Sequence, residues 1–219
     1  VIAPPSTQTR LVSRKTAPVD LTAVTPLTLT YNEAANIGRT LDRLTWAERV
    51  VVVDSYSEDD TIGIAESYEN VDVVQREFDD HTTQWNYGLD QVDTEWVLSL
   101  DADYQVPQAF VDNVRGLQPS AEQAGYRATF TYCVFGRPLR ATLYPPRIVL
   151  FRNDRARYVE DGHTQRLSVE GTVEALDTPL KHDDRKSLPR WLDNQRGYAR
   201  LEAEKLTDAE DLDLPDRLR

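Results

Sequence analysis

The feature that most constrains this chain is a regular alternation of short apolar runs and helical patterns over its first 118 residues. The apolar runs at 22–30, 49–54, 71–75 and 95–101 are rich in β-branched residues, which favour strands. Helical spacing occurs between the runs and again after Pro107, a residue that suits the first turn of a helix. Strands that alternate with helices predict a mostly parallel sheet with helices on both faces.

The pattern changes in the second half of the chain. Runs at 125–135, 147–152 and 165–176 have strand character but no helical pattern between them. They predict a mixed or antiparallel sheet beside the parallel one. A long helix is expected from residue 188 to 206, where apolar residues keep helical spacing.

These patterns predict one α/β domain over 23–206, with a mostly parallel Rossmann-like sheet. Its first half would be 23–118 and its second half 119–187. The Pro-rich segment 1–22 is expected to form a flexible arm, and residues 207–219 an acidic tail.

Charge and composition exclude several classes of protein. The chain has 25 basic and 37 acidic residues, a net charge of −12, which disfavours nucleic-acid binding because such affinity depends on Lys and Arg. No run approaches the roughly 18 apolar residues of a membrane span. The single Cys133 excludes a disulfide framework, and no signal peptide is evident, so a cytoplasmic location is expected.

Arginines are concentrated in one segment of this acidic chain. Between residues 137 and 157 there is one acid, Asp154, and there are six arginines: Arg137, Arg140, Arg147, Arg152, Arg155 and Arg157. Arginine clusters suit phosphate or carboxylate recognition, although a solvated charged face is an equally ordinary interpretation. Contact with anionic lipid at a membrane surface also stays open.

Polar or acidic residues stand where four consecutive predicted strands end. The strands end in Thr30-Tyr31-Asn32-Glu33, Asp54, Gln75-Arg76 and Asp101-Ala102-Asp103. A single such residue would usually cap a helix, but four at one sheet edge predict a ligand site. Carboxylates there can accept hydrogen bonds from a base or a ribose.

The Asp101-Ala102-Asp103 sequence adds a candidate metal site. Residues two apart on a strand point the same way, so the two carboxylates can converge. Hard oxygen ligands suit Mg²⁺ or Mn²⁺, which are usually held by one or two carboxylates together with substrate phosphates. The alternative is a loop with two exposed acids.

Residues 27–206 together resemble the GT-A glycosyltransferases of family 2. LTLTYNEAANI resembles the nucleotide-sugar entry loop of that family, VVVDSYSEDDTIGIAE its base-binding element, and LSLDADY its Asp-x-Asp signature. LYPPRIVLFR, DGHTQRL and HDDRKSLPRWLDNQRGYARLEAEKL are similar to the subgroup of lipopolysaccharide-core glucosyltransferases. The resemblance implies a GT-A fold and a role in cell-envelope polysaccharide synthesis.

The resemblance also implies individual roles on the donor side. Tyr31 and Glu33, within the Thr30–Glu33 segment that includes Asn32, would line the uracil and ribose. Asp54 would contact the base, and Arg76 the nucleotide. Asp101 would lie on the ribose and diphosphate side, Asp103 would bind the metal, and His182 would be a second metal ligand beside Asp101 and Asp103.

On the acceptor side, the general base has three candidates. The family often carries a Glu-Asp pair whose second acid is the base, which favours Asp161 and then Glu160. The core subgroup often has His-Glu at this point, where this chain has His163-Thr164. His163 and four arginines flank the expected acceptor side, where they would bind the diphosphate or a phosphorylated, lipid-linked acceptor: Arg137, Arg140, Arg147 and Arg152.

The resemblance therefore implies an inverting, metal-dependent transferase that moves a sugar from a nucleoside-diphosphate sugar, most plausibly a UDP-sugar. The acceptor would be a glycan or lipid-linked glycan. The alternatives are a non-catalytic nucleotide- or glycan-binding module, a sugar-phosphate nucleotidyltransferase and an Asp-nucleophile phosphatase. The second would need a Gly-rich, Arg-containing loop after the first strand, and the third an Asp pair there; YNEAANIGR provides neither.

Overall fold

A computed structural model gives the fold of residues 17–134, 136–141, 144–161 and 164–208. The helices of this described part are α1 (Ile37–Leu41), α2 (Thr61–Glu66), α3 (His81–Asp90), α4 (Gln108–Gly116) and α5 (Leu188–Asp208). The strands are β1 (Val24–Thr30), β2 (Val50–Asp54), β3 (Val71–Gln75), β4 (Trp96–Asp101), β5 (Tyr104–Gln105), β6 (Gln123–Ala128), β7 (Phe130–Val134), β8 (Arg137–Pro138), β9 (Arg147–Arg152), β10 (Ala156–Asp161), β11 (Thr164–Val169), β12 (Thr172–Ala175) and β13 (Leu180–His182).

The central sheet has the strand order β3-β2-β1-β4-β9-β6-β12. The first four strands are parallel, as the alternating sequence pattern predicts. Strand β9 runs antiparallel to both β4 and β6, so the sheet is mixed on the side supplied by the second half. The predicted α/β architecture is confirmed.

The parallel strands are buried because both faces of the sheet are covered. Every residue of β2 is buried, which explains its unbroken run of valines. The valines of β2 alternate between two clusters of the core, one on each side of the sheet. The register places Thr30 opposite Asp54 and Asp54 opposite Gln75, while Leu29 lies opposite Asp101. The four predicted strand ends therefore lie on one edge.

The second half contains two smaller sheets. The predicted strand 125–135 divides at Thr129: β6 joins the central sheet, whereas β7 belongs to a four-stranded sheet with the order β5-β13-β7-β8. Strands β10 and β11 form a separate antiparallel hairpin that packs against α3. The division lets one segment contribute to both sheets.

The chain is ordered earlier than the sequence predicts. The predicted arm extends to residue 22, but Val19 is only 5% exposed. Its backbone N–H donates to the carbonyl of Leu117, and Asp20 caps a 3₁₀ turn at Leu21–Ala23. The segment after residue 16 therefore belongs to the folded domain. Within the described ranges, no helix is both long enough and apolar enough to cross a membrane.

Helix α3 approaches the central sheet closely at Gly88. A Cβ atom built there would lie 2.8 Å from Cδ1 of Leu27 and 3.2 Å from Cγ2 of Val53. Both contacts are tighter than ordinary van der Waals packing allows. The absence of a side chain thus determines how near α3 lies to β1 and β2.

We predict that Gly88→Ala destabilises the fold by about 1–3 kcal/mol, because the added methyl group overpacks the interface between helix and sheet. Gly116→Ala is the matched control, since no atom lies within 4 Å of a Cβ atom at the end of α4. Urea unfolding of both variants measures the difference. Equal midpoints for the two variants would contradict the close packing.

Candidate active site

Asp54 holds together the loops that follow β1 and β2. Its carboxylate is fully buried, at 0% exposure. Oδ1 accepts hydrogen bonds from the hydroxyls of Thr30 (2.8 Å) and Ser57 (2.5 Å). Oδ2 accepts from the backbone N–H of Ser57 (2.8 Å) and, more weakly, from the amide of Gln75 (3.5 Å). A buried carboxylate is costly without such donors, and here several donors compensate its charge.

Asn32 ties the same two loops together from the other side. It has a left-handed backbone (φ 55°), a conformation that Asn tolerates better than most residues. Its side-chain oxygen accepts from the N–H groups of Glu58 (2.8 Å) and Asp59 (3.3 Å). Its own N–H donates to the Ser57 hydroxyl at 2.8 Å. The two loops consequently form one cross-linked surface.

The base contact predicted for Asp54 stays a prediction. What the structure shows is that its buried carboxylate accepts hydrogen bonds from both loops and so shapes them. Two aromatic side chains on those loops are open to solvent instead: Tyr31 at 52% exposure and Tyr56 at 56%. Tyr56 also has a left-handed backbone, with φ 58°. Sequence reasoning selected Tyr31 and missed Tyr56.

Glu33 is paired with a residue from the far end of the chain. Its Oε1 lies 2.5 Å from Nζ of Lys186, and its Oε2 accepts from Asn36 at 2.9 Å. Burial raises the pKa of Glu33 by more than Lys186 and Asn36 lower it. The Asn36 amide also donates to Asp184 and accepts from the Arg185 N–H. The segment after β13 is therefore connected by hydrogen bonds and an ion pair to the loop that follows β1.

Asp103 and His182 meet just beyond the end of β4. Strands β5 and β13 pair next to them, and Nε2 of His182 lies 3.0 Å from Oδ2 of Asp103. Burial lowers the pKa of His182, but the Asp103 hydrogen bond and the charges of Asp103 and Asp101 raise it by more. Oδ1 of Asp103 is buried without a hydrogen-bond partner in the structure.

That unpartnered oxygen and the adjacent imidazole fit a divalent cation in donor chemistry. Among the residues that the structure describes, no group of three or more His, Cys, Asp or Glu side chains is arranged to hold a metal. Two side chains suffice only where a bound substrate supplies further oxygen ligands.

Arg76 is held by helix α3. Its guanidinium donates to Oε1 of Gln84 at 2.7 Å and to Asp79 at 2.5 Å, and it lies over the ring of Tyr87. Buried Gln84 also donates to the hydroxyl of Ser55, the residue that follows β2. Arg76 thus lies beside the second loop with its orientation fixed.

The predicted arginine cluster is divided by the direction of β9. Arg147 begins this strand near the site: its guanidinium lies 4.8 Å from the ring centroid of Tyr144. Desolvation lowers the pKa of Arg147, but Asp101 together with Tyr104, Tyr144 and Tyr158 raises it by more. The structure therefore brings Arg147 into the electrostatic environment of Asp101.

Arg152 lies at the other end of β9, which contradicts the placement predicted for it. It pairs with Trp96 at the start of β4, stacks over that ring and forms an ion pair with Glu95. Arg147 and Arg152 are the two ends of an extended strand and therefore lie about 17 Å apart. Because β9 is antiparallel to β4, Arg152 lies beside the start of β4, at the opposite sheet edge. Arg152 has a structural role there.

The remaining acceptor-side candidates lie on the second half. Arg137 and Arg140 are exposed on and after β8. Glu160 is exposed near the end of β10 and pairs with Gln165, and the backbone of Asp161 pairs with Thr164. His163 lies outside the described residues, so its predicted role stays a prediction.

Several residues of the site were not selected from the sequence. Asp183 accepts hydrogen bonds from Arg39 (2.6 Å), Arg185 (2.9 Å) and the N–H of Gly136 (2.8 Å). His81 begins α3; burial lowers its pKa, and Asp101 and Asp80 oppose that shift. The charged sequence HDDRKS indicated that this segment could be functional. It has no periodicity from which the contacts of its individual residues could be predicted.

The comparison with protein families locates the recognisable part of the chain. Residues 27–128 match "Glycosyl transferase family 2". This segment contains the second half of β1, all of β2 to β6 and both cross-linked loops. The GT-A fold that the sequence motifs imply is thereby supported at the level of the family domain.

Curated relatives match a segment of similar length. An "Uncharacterized glycosyltransferase" of Rickettsia felis is 31% identical over 101 residues, which are 46% of this chain and 35% of the relative. A protein of the same description from Rickettsia bellii is 33% identical over 101 residues, 34% of its length. The matched part thus spans about a third of those relatives.

Solved structures extend the likeness across the fold. A mannosyltransferase, PcManGT of Pyrobaculum calidifontis, solved with GDP-Man and Mn²⁺, has a TM-score of 0.56 at 18% identity, covering 92% of this chain and 70% of its own. TarS 1-349 of S. aureus, solved with UDP-GlcNAc, has a TM-score of 0.52 at 18% identity, covering 86% and 68%. These likenesses confirm the GT-A fold.

We predict that Asp54→Asn lowers the free energy of unfolding by about 2–3 kcal/mol, because an amide nitrogen would replace one of the oxygens that accept the buried donors. Asp72→Asn is the control: Asp72 forms a surface ion pair with Arg49, whose loss costs about 1 kcal/mol or less. Urea denaturation gives both values. A small effect at Asp54 would show that the loops hold together without it.

Proposed function

We propose that this chain is a glycosyltransferase that moves a sugar from a nucleoside-diphosphate sugar to an acceptor hydroxyl. The observation that carries the proposal is the pair of cross-linked loops after β1 and β2, lying at the same sheet edge as Asp101 and Asp103 within the family 2 match. Ligands of open α/β sheets bind at this edge. The sugar nucleotides bound in the similar structures support the same ligand class.

The proposed reaction is a single displacement with inversion at the anomeric carbon. The acceptor oxygen forms a bond to that carbon while the bond to the diphosphate oxygen breaks. The acceptor hydroxyl proton passes to a carboxylate, and the electron pair of the broken bond leaves with the nucleoside diphosphate. The chain must therefore supply a base on one side and positive charge on the other.

The base is proposed to come from the β10–β11 hairpin. Asp161 is the preferred residue, and Glu160 is the alternative. Glu160 shares the strand face of Tyr158, which contacts Ser99 two residues before Asp101. On the leaving-group side, Arg147 is proposed to supply positive charge, because it lies within electrostatic range of Asp101. Its guanidinium suits a diphosphate because it presents several donors in a plane.

Asp103 and His182 would hold a divalent cation, Mn²⁺ or Mg²⁺, together with diphosphate oxygens of the donor. The unpartnered Oδ1 of Asp103 supports this assignment. Such an ion supplies positive charge to the leaving diphosphate when it is bound. Asp101 is proposed to lie between this site and Arg147.

The acceptor is proposed to be a glycan or lipid-linked glycan, as in the lipopolysaccharide-core subgroup that the second half resembles. The exposed Arg137 and Arg140 would meet a phosphorylated part of such an acceptor.

Calorimetric titration tests the donor half of the proposal. UDP, GDP and CDP are added with Mn²⁺ and again with EDTA, and release of nucleotide from UDP-glucose, UDP-N-acetylglucosamine and GDP-mannose is followed with water as acceptor. We expect one nucleotide class to bind in the presence of Mn²⁺, and its sugar conjugate to be hydrolysed. Absence of binding by a folded sample would favour a structural role for the strand-end acids and contradict the proposal.

We predict that Asp103→Asn abolishes the Mn²⁺-dependent part of nucleotide affinity, because the amide lacks the charge of a metal ligand. Asp112→Asn on the outer surface of α4 is the control and should leave affinity unchanged. Undiminished Mn²⁺-dependent binding by the Asp103 variant would remove this residue from the metal site.

We predict that Asp161→Asn retains nucleotide binding and lowers turnover by about 10²–10⁴-fold, the loss typical of a general base. Glu160→Gln tests the neighbouring acid, and Glu170→Gln, at the far end of the hairpin, is the control. The larger rate loss identifies the base. Full activity of both acid variants would move the role outside this pair.

A further inference from the structure

The β10–β11 hairpin is attached to the domain mainly through helix α3. Among the described residues, it pairs with no strand of the central sheet. One part of this attachment is an ion pair between Arg157 of β10 and Asp90 of α3, at 3.2 Å. Another is made by Asn86, in the middle of α3, which forms two hydrogen bonds with one residue of the hairpin. Its Nδ2 donates to the carbonyl oxygen of Tyr158 at 2.9 Å, and its Oδ1 accepts from the Tyr158 N–H at 3.0 Å. The planar amide thus pairs with β10 as a residue of a neighbouring strand would.

The side chain of the same hairpin residue is fixed as well. The ring of Tyr158 stacks on Trp85 with centroids 5.1 Å apart and an interplanar angle of 20°. Its hydroxyl lies 2.6 Å from the hydroxyl of Ser99, and both side chains are buried. The backbone and side chain of Tyr158 are therefore located relative to both α3 and β4.

This attachment bears directly on the acids near the end of β10. Glu160 is two residues beyond Tyr158 on the same strand, and Asp161 follows it. On β4, Asp101 is two residues beyond Ser99. Because residues two apart share a face, the Ser99–Tyr158 contact sets the position of one acidic strand end against the other.

We propose that Asn86 is a positioning residue for catalysis: through Tyr158 it places the hairpin that carries Glu160 and Asp161 relative to the bound donor. The proposal rests on the proposed function, since it concerns that same site. Asn86 itself contacts no substrate. A hairpin without pairing to the main sheet would otherwise tilt, and a displacement of about 1 Å at a reacting group can cost 10²-fold in rate.

The chain contains a matched control for this residue. The side-chain amide of Asn70 also makes two hydrogen bonds to backbone, with the carbonyl oxygens of Leu44 (3.1 Å) and Ala47 (2.9 Å). Those bonds brace the connection between α1 and β2, before the start of that strand and away from the strand-end acids. A variant there loses a comparable pair of bonds without touching the hairpin.

The experiment compares Asn86→Ala with Asn70→Ala and the wild-type chain. Amide hydrogen exchange is followed over β10, β11 and β2, nucleotide affinity is measured by titration, and donor turnover is measured with the sugar nucleotide that the wild type hydrolyses. For Asn86→Ala we expect faster exchange in β10 and β11 with β2 still protected. Affinity should stay within about twofold, and turnover should fall by about 10²-fold. Asn70→Ala should retain turnover and hairpin protection.

Each outcome distinguishes the two claims. A wild-type chain that binds and hydrolyses none of the donors contradicts the proposed function. A functional wild type with an Asn86 variant that keeps hairpin protection, or keeps turnover despite a loosened hairpin, overturns the positioning role alone. Equal turnover losses in the Asn86 and Asn70 variants would do the same, because they would reflect general destabilisation.

Discussion

The candidate site depends on one buried negative charge. Asp54 ends β2 inside the protein, where its carboxylate is stable only because donors from three neighbouring segments converge on it. Those donors are the end of β1, the loop after β2 and the end of β3. The same interaction therefore aligns adjacent strand ends and sets the course of the loops above them. Asn32 and Glu33 then extend the arrangement to the first loop and to Lys186.

Much of the first half could be predicted from the sequence because it is governed by short-range rules. Valine-rich runs indicate buried parallel strands, and a parallel register brings their last residues to one edge. That logic located Thr30, Asp54, Gln75 and Asp101 together. It could not show that the Asp54 side chain is buried, because an acid at the end of a strand has the same sequence context whether its side chain is buried or exposed.

The second half was less predictable because its contacts join residues far apart in the chain. Arg147 and Arg152 are five residues apart and look alike in the sequence, but the antiparallel direction of β9 separates them to opposite edges. Lys186 meets Glu33 across 153 positions, and Asn86 meets Tyr158 across 72. Neither pair has a spacing from which it could be inferred.

Helix α3 limits how this protein can diverge in evolution. Within five consecutive positions, Gln84 contacts the loop after β2, Asn86 contacts the β10–β11 hairpin and Gly88 packs against the central sheet. A substitution that shifts the helix to suit a new donor would also shift the hairpin, so such changes would need compensation on both sides. New specificities would therefore arise more easily by exchange in the exposed loops, around Tyr31 and Tyr56, than by drift of this helix.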